Sequence, residues 1–101
     1  MSDASIRQVD GELCLSGVID YSTGPALREE GGRLIRAAQA AELVLDCSAV
    51  EHSSSVGLSL LLAFMRDAQK HGKSLVIRAL PVEMRQIAQV SRLIELLPLR
   101  D

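Results

Sequence analysis

Three consecutive hydroxyls, Ser53-Ser54-Ser55, follow Glu51 and His52 and stand directly before Val56-Gly57-Leu58, where an apolar run begins. A serine becomes a nucleophile only with a base in reach and a third group to orient that base. His52 lies three residues before Ser55, its acidic neighbour is Glu51, and no Gly-x-Ser-x-Gly elbow surrounds the serine. Neighbours in one loop seldom converge on such a geometry, so catalysis is the weaker reading and the chain is expected to be no enzyme. The tract His71-Gly72-Lys73-Ser74 lacks the upstream glycine of a phosphate-binding loop and precedes a strand pattern instead of a helix. Cys14 and Cys47 sit far apart in apolar stretches, without the spacing of a metal site or a disulfide framework. They read as buried thiols in a reducing compartment, and neither cofactor nor metal is expected.

The first turn of a helix leaves backbone N–H groups unpaired and carries partial positive charge. A hydroxyl there can cap the helix, meet an acceptor from another protein, or carry a phosphate whose charge suits the helix end while its bulk breaks close apolar contact. An ordinary N-cap contributes about 1 kcal/mol and nothing functional. From spacing alone, a polar loop with one plain cap is the better reading of Ser53, Ser54 and Ser55.

Beyond them, Leu58, Leu61, Leu62, Met65 and Ala68 follow the i, i+3, i+4, i+7 spacing of a helix that stops at His71-Gly72. Leu60 and Phe64 form a second apolar pair four residues apart. Either that side is surplus to the core, so that Val56, Leu60 and Phe64 anchor a partner, or the helix is buried on both sides under its neighbours. Exposure of Phe64 separates the two. His52 with Glu51 reads as an interface rim or a solvated pair. Asp20, Ser22 and Thr23 read as caps, or as a border of the same surface, because parallel strands bring their C-terminal ends to one edge.

The elements that must position these residues are legible in outline. Ile6 to Val9, Asp10-Gly11, then Leu13 and Leu15 in alternation predict a hairpin with a type I′ turn. Pro25, Leu27, Leu34, Ile35 and Ala38 predict a helix to about Gln39, and its Gly31-Gly32 pair implies close packing by a neighbour. Leu43-Val44-Leu45 and Leu75-Val76-Ile77 lack polar alternation, as central parallel strands covered on both faces would. Pro81 opens a third helical pattern that breaks near Ser91-Arg92, before a short apolar segment from Leu93 to Leu97. The order implies an α/β fold: a small mixed sheet of about four strands, with a hairpin at one edge and parallel strands joined by helices.

Composition narrows the function classes. A chain of 101 residues, 48% hydrophobic, closes one core, so residues 1–101 form a single domain. Thirteen acidic against eleven basic side chains leave a net charge of -2, and Tyr21 and Phe64 are the only aromatics, so nucleic acid is not an expected partner. The run Val56 to Met65 is broken by Gly57 and Ser59 and reaches only about half the ~20 residues of a membrane span. Met1-Ser2-Asp3 opens on a polar stretch with no secretory pattern. No direct membrane insertion and a cytoplasmic location are expected.

The segment from Leu43 to Leu62 resembles the STAS domain, the sulfate transporter and anti-sigma factor antagonist family. That family has a strand ending in Asp-x-Ser, a short loop, then Asp-Ser-x-Gly-Leu at a helix start. Asp46 and Ser48 match the first part, and Ser55, Gly57 and Leu58 the second. Ser54 stands where regulatory members carry an acidic residue, and Val56 where a small residue is usual.

Small size, the Leu-rich helix and the terminal Leu-Pro are most similar to the MlaB-type subgroup, the cytoplasmic STAS subunit of a phospholipid ABC transporter serving outer-membrane lipid asymmetry. The resemblance implies an ABC transporter ATPase subunit as partner and a location peripheral to the inner membrane through that complex. Contact would fall to Ser55, with Ser54, Val56, Leu60, Phe64 and His52 around it. It also implies an alternative, an anti-sigma factor antagonist that binds a kinase and is controlled by phosphorylation of Ser55.

Overall fold

Alternation of buried and half-exposed side chains decides the architecture, which the computed structural model describes for residues 4–100; the polar start Met1-Ser2-Asp3 lies outside the described residues. Strands β1 (Ala4–Val9) and β2 (Glu12–Ile19) form the antiparallel hairpin. Asp10 and Gly11 between them have φ of 52° and 81°, the positive pair that a type I′ turn demands. Helix α1 (Gly24–Ala37), strand β3 (Glu42–Ser53), helix α2 (Ser55–Lys70), strand β4 (Ser74–Arg78) and helix α3 (Val82–Val90) follow. A 3₁₀ turn, Ile94–Leu96, leads to a two-residue strand β5 (Leu99–Arg100).

The sheet runs in the order β1-β2-β3-β4-β5, parallel throughout except for the hairpin. The mixed α/β fold with its edge hairpin agrees with expectation, and β5 makes five strands where about four were expected. Helix α1 stops two residues short of Gln39, because Ala38 turns extended with ψ 141°. Lys73 closes that end by donating from Nζ to the carbonyls of Ile35 (2.6 Å) and Arg36 (3.1 Å). The break after α3 falls where expected: Arg92 takes φ 59° and Leu93 N donates back to Ala88 O at 2.8 Å.

Leu13, Leu15 and Ile19, Leu43, Leu45 and Cys47, and Leu75 and Ile77 point to one face of the sheet and are buried. Their neighbours Cys14, Ser16, Val18, Val44 and Val76 stand half-exposed on the other face. The central strands are therefore covered on one face and not on both. The valines in these apolar runs occupy the open side, which burial of the leucines and isoleucines does not require them to leave. On that open side Arg78 joins Glu12 (2.8 Å) and Asp46 (3.0 Å) across three strands.

Candidate partner interface

Strand β3 delivers the serine cluster, and it is irregular on the way. Cys14 pairs with Asp46, but the next partners are Ser16 and Ala49, so β3 bulges after Asp46. Asp46 Oδ1 accepts the Ser48 N–H at 2.9 Å within this bulge. The Asp-x-Ser motif thus shapes the strand instead of ending it, and β3 continues to Ser53. Burial raises the Asp46 pKa, yet the backbone N–H and hydroxyl of Ser48 and the Arg78 guanidinium outweigh it and hold the carboxyl below its ordinary value.

At the strand's far end the chain is held by a short series of hydrogen bonds. The Ser53 N–H donates to Glu83 Oε1 at 2.7 Å, and the Ser53 hydroxyl donates to the Ser54 carbonyl at 2.9 Å. The Ser54 N–H donates to Ile19 O at 3.0 Å, tying the turn to β2. Ser54 is the N-cap of α2, its Oγ accepting the Val56 N–H at 3.1 Å. Gly57 is required by close approach, since a Cβ there would run into the Ser53 hydroxyl.

With Ser54 holding the cap, Ser55 is the exposed first residue of α2. Among the described residues its hydroxyl makes no hydrogen bond. The His52 ring is exposed and lies 4.0 Å from Glu83 Oε2, with no hydrogen bond to Ser55. Glu83, on α3, was not singled out by the sequence; its place at a helix start is an ordinary one, and only the fold brings it to β3.

Of the expected apolar anchors, Val56 is half-buried, Leu60 is 4% exposed and Phe64 is fully buried at 0%. Phe64 is therefore corrected from an interface anchor to a core residue. Its ring fills the space left by the missing side chain of Gly31 on α1, where a Cβ would collide with the ring carbons. The close packing expected of the glycine pair is present at Gly31, and it is what removes Phe64 from the surface.

An apolar opening nevertheless remains beside Ser55: an open groove of about 440 Å³ between the starts of α1 and α2. It is lined by the buried Gly24, Leu60 and Ala63 together with Pro25 and the half-buried Val56. Tyr21, 84% exposed, stands on its rim. The turn that carries Tyr21 is fixed by Asp20, whose Oδ1 accepts from the Ser22 hydroxyl (2.6 Å), Ser22 N (2.9 Å) and Thr23 N (3.2 Å). The Ser22 hydroxyl, followed by its backbone N–H, holds the Asp20 carboxyl below its ordinary pKa. Thr23 Oγ1 donates to Val18 O at 3.0 Å, so Asp20 and Thr23 brace the turn instead of capping α1 by their side chains.

Arg28 and Arg66 flank the groove along the helices. Arg28 is paired with Asp67 of α2. Sequence reasoning passed over Tyr21, Arg28 and Arg66; the available signal was an aromatic set between two turn residues, off any apolar period. Among the described residues no cluster of three potential metal ligands occurs, and no helix is long and apolar enough to cross a membrane.

Comparison with known proteins adds to this geometry. The family model described as "Mlab, STAS domain" matches residues 2–98. A chain of the Acinetobacter MlaFEDB complex, in an ATP-bound conformation, is 25% identical with a TM-score of 0.83, covering 95% of this chain and 99% of that one. An anti-sigma factor antagonist from Mycobacterium paratuberculosis is 31% identical with a TM-score of 0.75, covering 98% and 85%. The phosphorylated Bacillus cell fate determinant SpoIIAA shares the fold, at 17% identity and a TM-score of 0.66 over 98% and 92%.

Proposed function

The chain belongs to the STAS domain family, in its Mlab type, and from that premise we propose that it is a non-catalytic, single-domain subunit that binds the ATPase subunit of an Mla-type phospholipid ABC transporter. Docking supports or regulates assembly and activity of a complex that maintains outer-membrane lipid asymmetry. The chain is held in the cytoplasm, at the inner membrane, through its partners. The observation that carries this reading is the division of labour at the start of α2. Ser54 takes the cap by accepting the Val56 N–H, which leaves the Ser55 hydroxyl exposed for an acceptor on another protein. Near-complete mutual coverage with a chain of the MlaFEDB complex supports that assembly as the setting.

Copurification with the ATPase subunit tests it. Ser55→Lys should abolish association while circular dichroism and melting temperature stay those of the parent chain; undiminished association would refute the surface.

A second reading, an anti-sigma factor antagonist, is favoured by the 31% identity to the Mycobacterium protein. It requires phosphate on Ser55 after incubation with an anti-sigma factor kinase. Ser54, in place of the acidic residue that regulatory members carry, weighs against it.

A further inference from the structure

We propose that the groove between α1 and α2 seats a segment of the ATPase partner in which an acidic side chain flanks an apolar one, with Tyr21 and Arg66 as its anchors. The inference rests on the Ser55 docking reading and deepens it by assigning the chemistry of the partner.

The lining is asymmetric in charge. It includes two arginines, Arg28 and Arg66, and no acidic residue. Asp67 neutralises Arg28, whereas among the described residues no carboxylate lies within ion-pair distance of the exposed Arg66. One positive charge is thus unmatched at the edge of an apolar lining, which fits an acidic side chain beside an apolar one. Arginine suits this role because its planar fork meets a carboxylate in two parallel hydrogen bonds.

Tyr21 gives the second argument. A large aromatic that is 84% exposed buries little in the isolated domain, yet its turn is fixed by the Asp20 and Thr23 hydrogen bonds. An aromatic on a pre-ordered backbone loses little freedom on binding and is a frequent hot-spot residue. The groove's form argues for a polypeptide. It opens along two helices, whereas small-ligand sites enclose most of their ligand, so a partner surface is needed to shut out water here.

The test measures affinity of the full chain for the purified ATPase subunit. Tyr21→Ala and Arg66→Glu should each weaken association at least tenfold. Arg66→Lys, which keeps the charge but not the two-pronged contact, should recover only part of it, and raising salt should weaken the parent chain more than Arg66→Glu. Both positions are exposed, and unchanged melting temperatures establish that the variants fold.

If Tyr21→Ala and Arg66→Glu bind as tightly as the parent while Ser55→Lys does not bind, the groove assignment falls and the docking reading stands. If all three bind normally, both fall. Arg66-dependent binding to phosphatidylglycerol vesicles, with ATPase affinity untouched, would overturn the proposal in favour of a lipid phosphate. Concentration-dependent self-association abolished by Tyr21→Ala would overturn it in favour of a second copy.

Discussion

Phe64 lies against the bare backbone of Gly31, its ring fully buried in the space that a side chain there would take. The two helices that frame the candidate interface are spaced by this contact. Gly31→Ala forces an embedded ring to move, a cost of about 1–3 kcal/mol that exceeds the helix-propensity gain of about 1 kcal/mol. The melting temperature should fall by roughly 5–10 °C. Gly32→Ala is the control, since its added carbon would meet the mobile ends of Asp67 (3.2 Å) and Arg36 (3.3 Å). Those ends can give way, so Gly32→Ala should melt at or above the parent temperature.

Ser54 and Ser55 should separate stability from association. Ser54→Ala removes the cap on the Val56 N–H and should cost about 1 kcal/mol, read by urea denaturation. Ser55→Ala should leave the denaturation midpoint nearly unchanged and weaken copurification with the ATPase subunit.

Glu83 is expected to hold the approach to α2 through the Ser53 N–H. Glu83→Ala leaves that partly buried amide without an acceptor, at a cost of about 1–3 kcal/mol. Amide hydrogen exchange at Ser53 should speed up markedly in Glu83→Ala and much less in Glu83→Gln, which keeps an acceptor oxygen.

Acid should act through Asp46. Its pKa is lower folded than unfolded, because the Ser48 donors and Arg78 outweigh burial. The stability it supplies is therefore fully present above the ordinary carboxylate range and lost as pH falls through the depressed folded value. Asp46→Asn should be less stable at pH 7 and lose less further stability than the parent on going to strong acid, below the ordinary carboxylate range. Denaturation at both pH values reads the difference.

The two thiols should differ in reactivity. Burial, reinforced by the Asp46 charge, pushes the Cys47 thiol up to about 12, while Cys14 stands half-exposed on the open face with a pKa raised chiefly by desolvation. A maleimide or disulfide reagent should modify Cys14 slowly in the native chain and Cys47 only on unfolding, followed by mass spectrometry.

Local signals carried most of the fold. Asp10-Gly11 announced its turn because only a few residue types accept two positive φ angles, and α2 showed its helical period although Leu62 and Met65 of the expected stripe are half-exposed and Leu60 and Phe64 are buried beside Leu58 and Leu61. What failed was long-range. Val44 and Val76 suggested a second buried face, but apolar side chains are common on open sheet faces too. β5 was invisible because two residues show no period; parallel pairing with β4 and the Ile77 N–H to Pro98 O bond (2.8 Å) define it. At the site, residue type located Ser54 and Ser55 but could not say which of them spends its oxygen on the backbone. Phe64 looked surplus to the α2 stripe until Gly31, on another helix, made room for it.

In mechanical terms β3 is a cantilever. Over Glu42–Asp46 it is clamped by β4, and beyond that its ladder connects it to β2 alone. Glu83 is a strut under the free end, and Ser55 is mounted just past the tip. A load applied there by a docking protein bends an overhang before it strains the clamped half. The strut passes that load to α3 while the remainder of the sheet keeps its register.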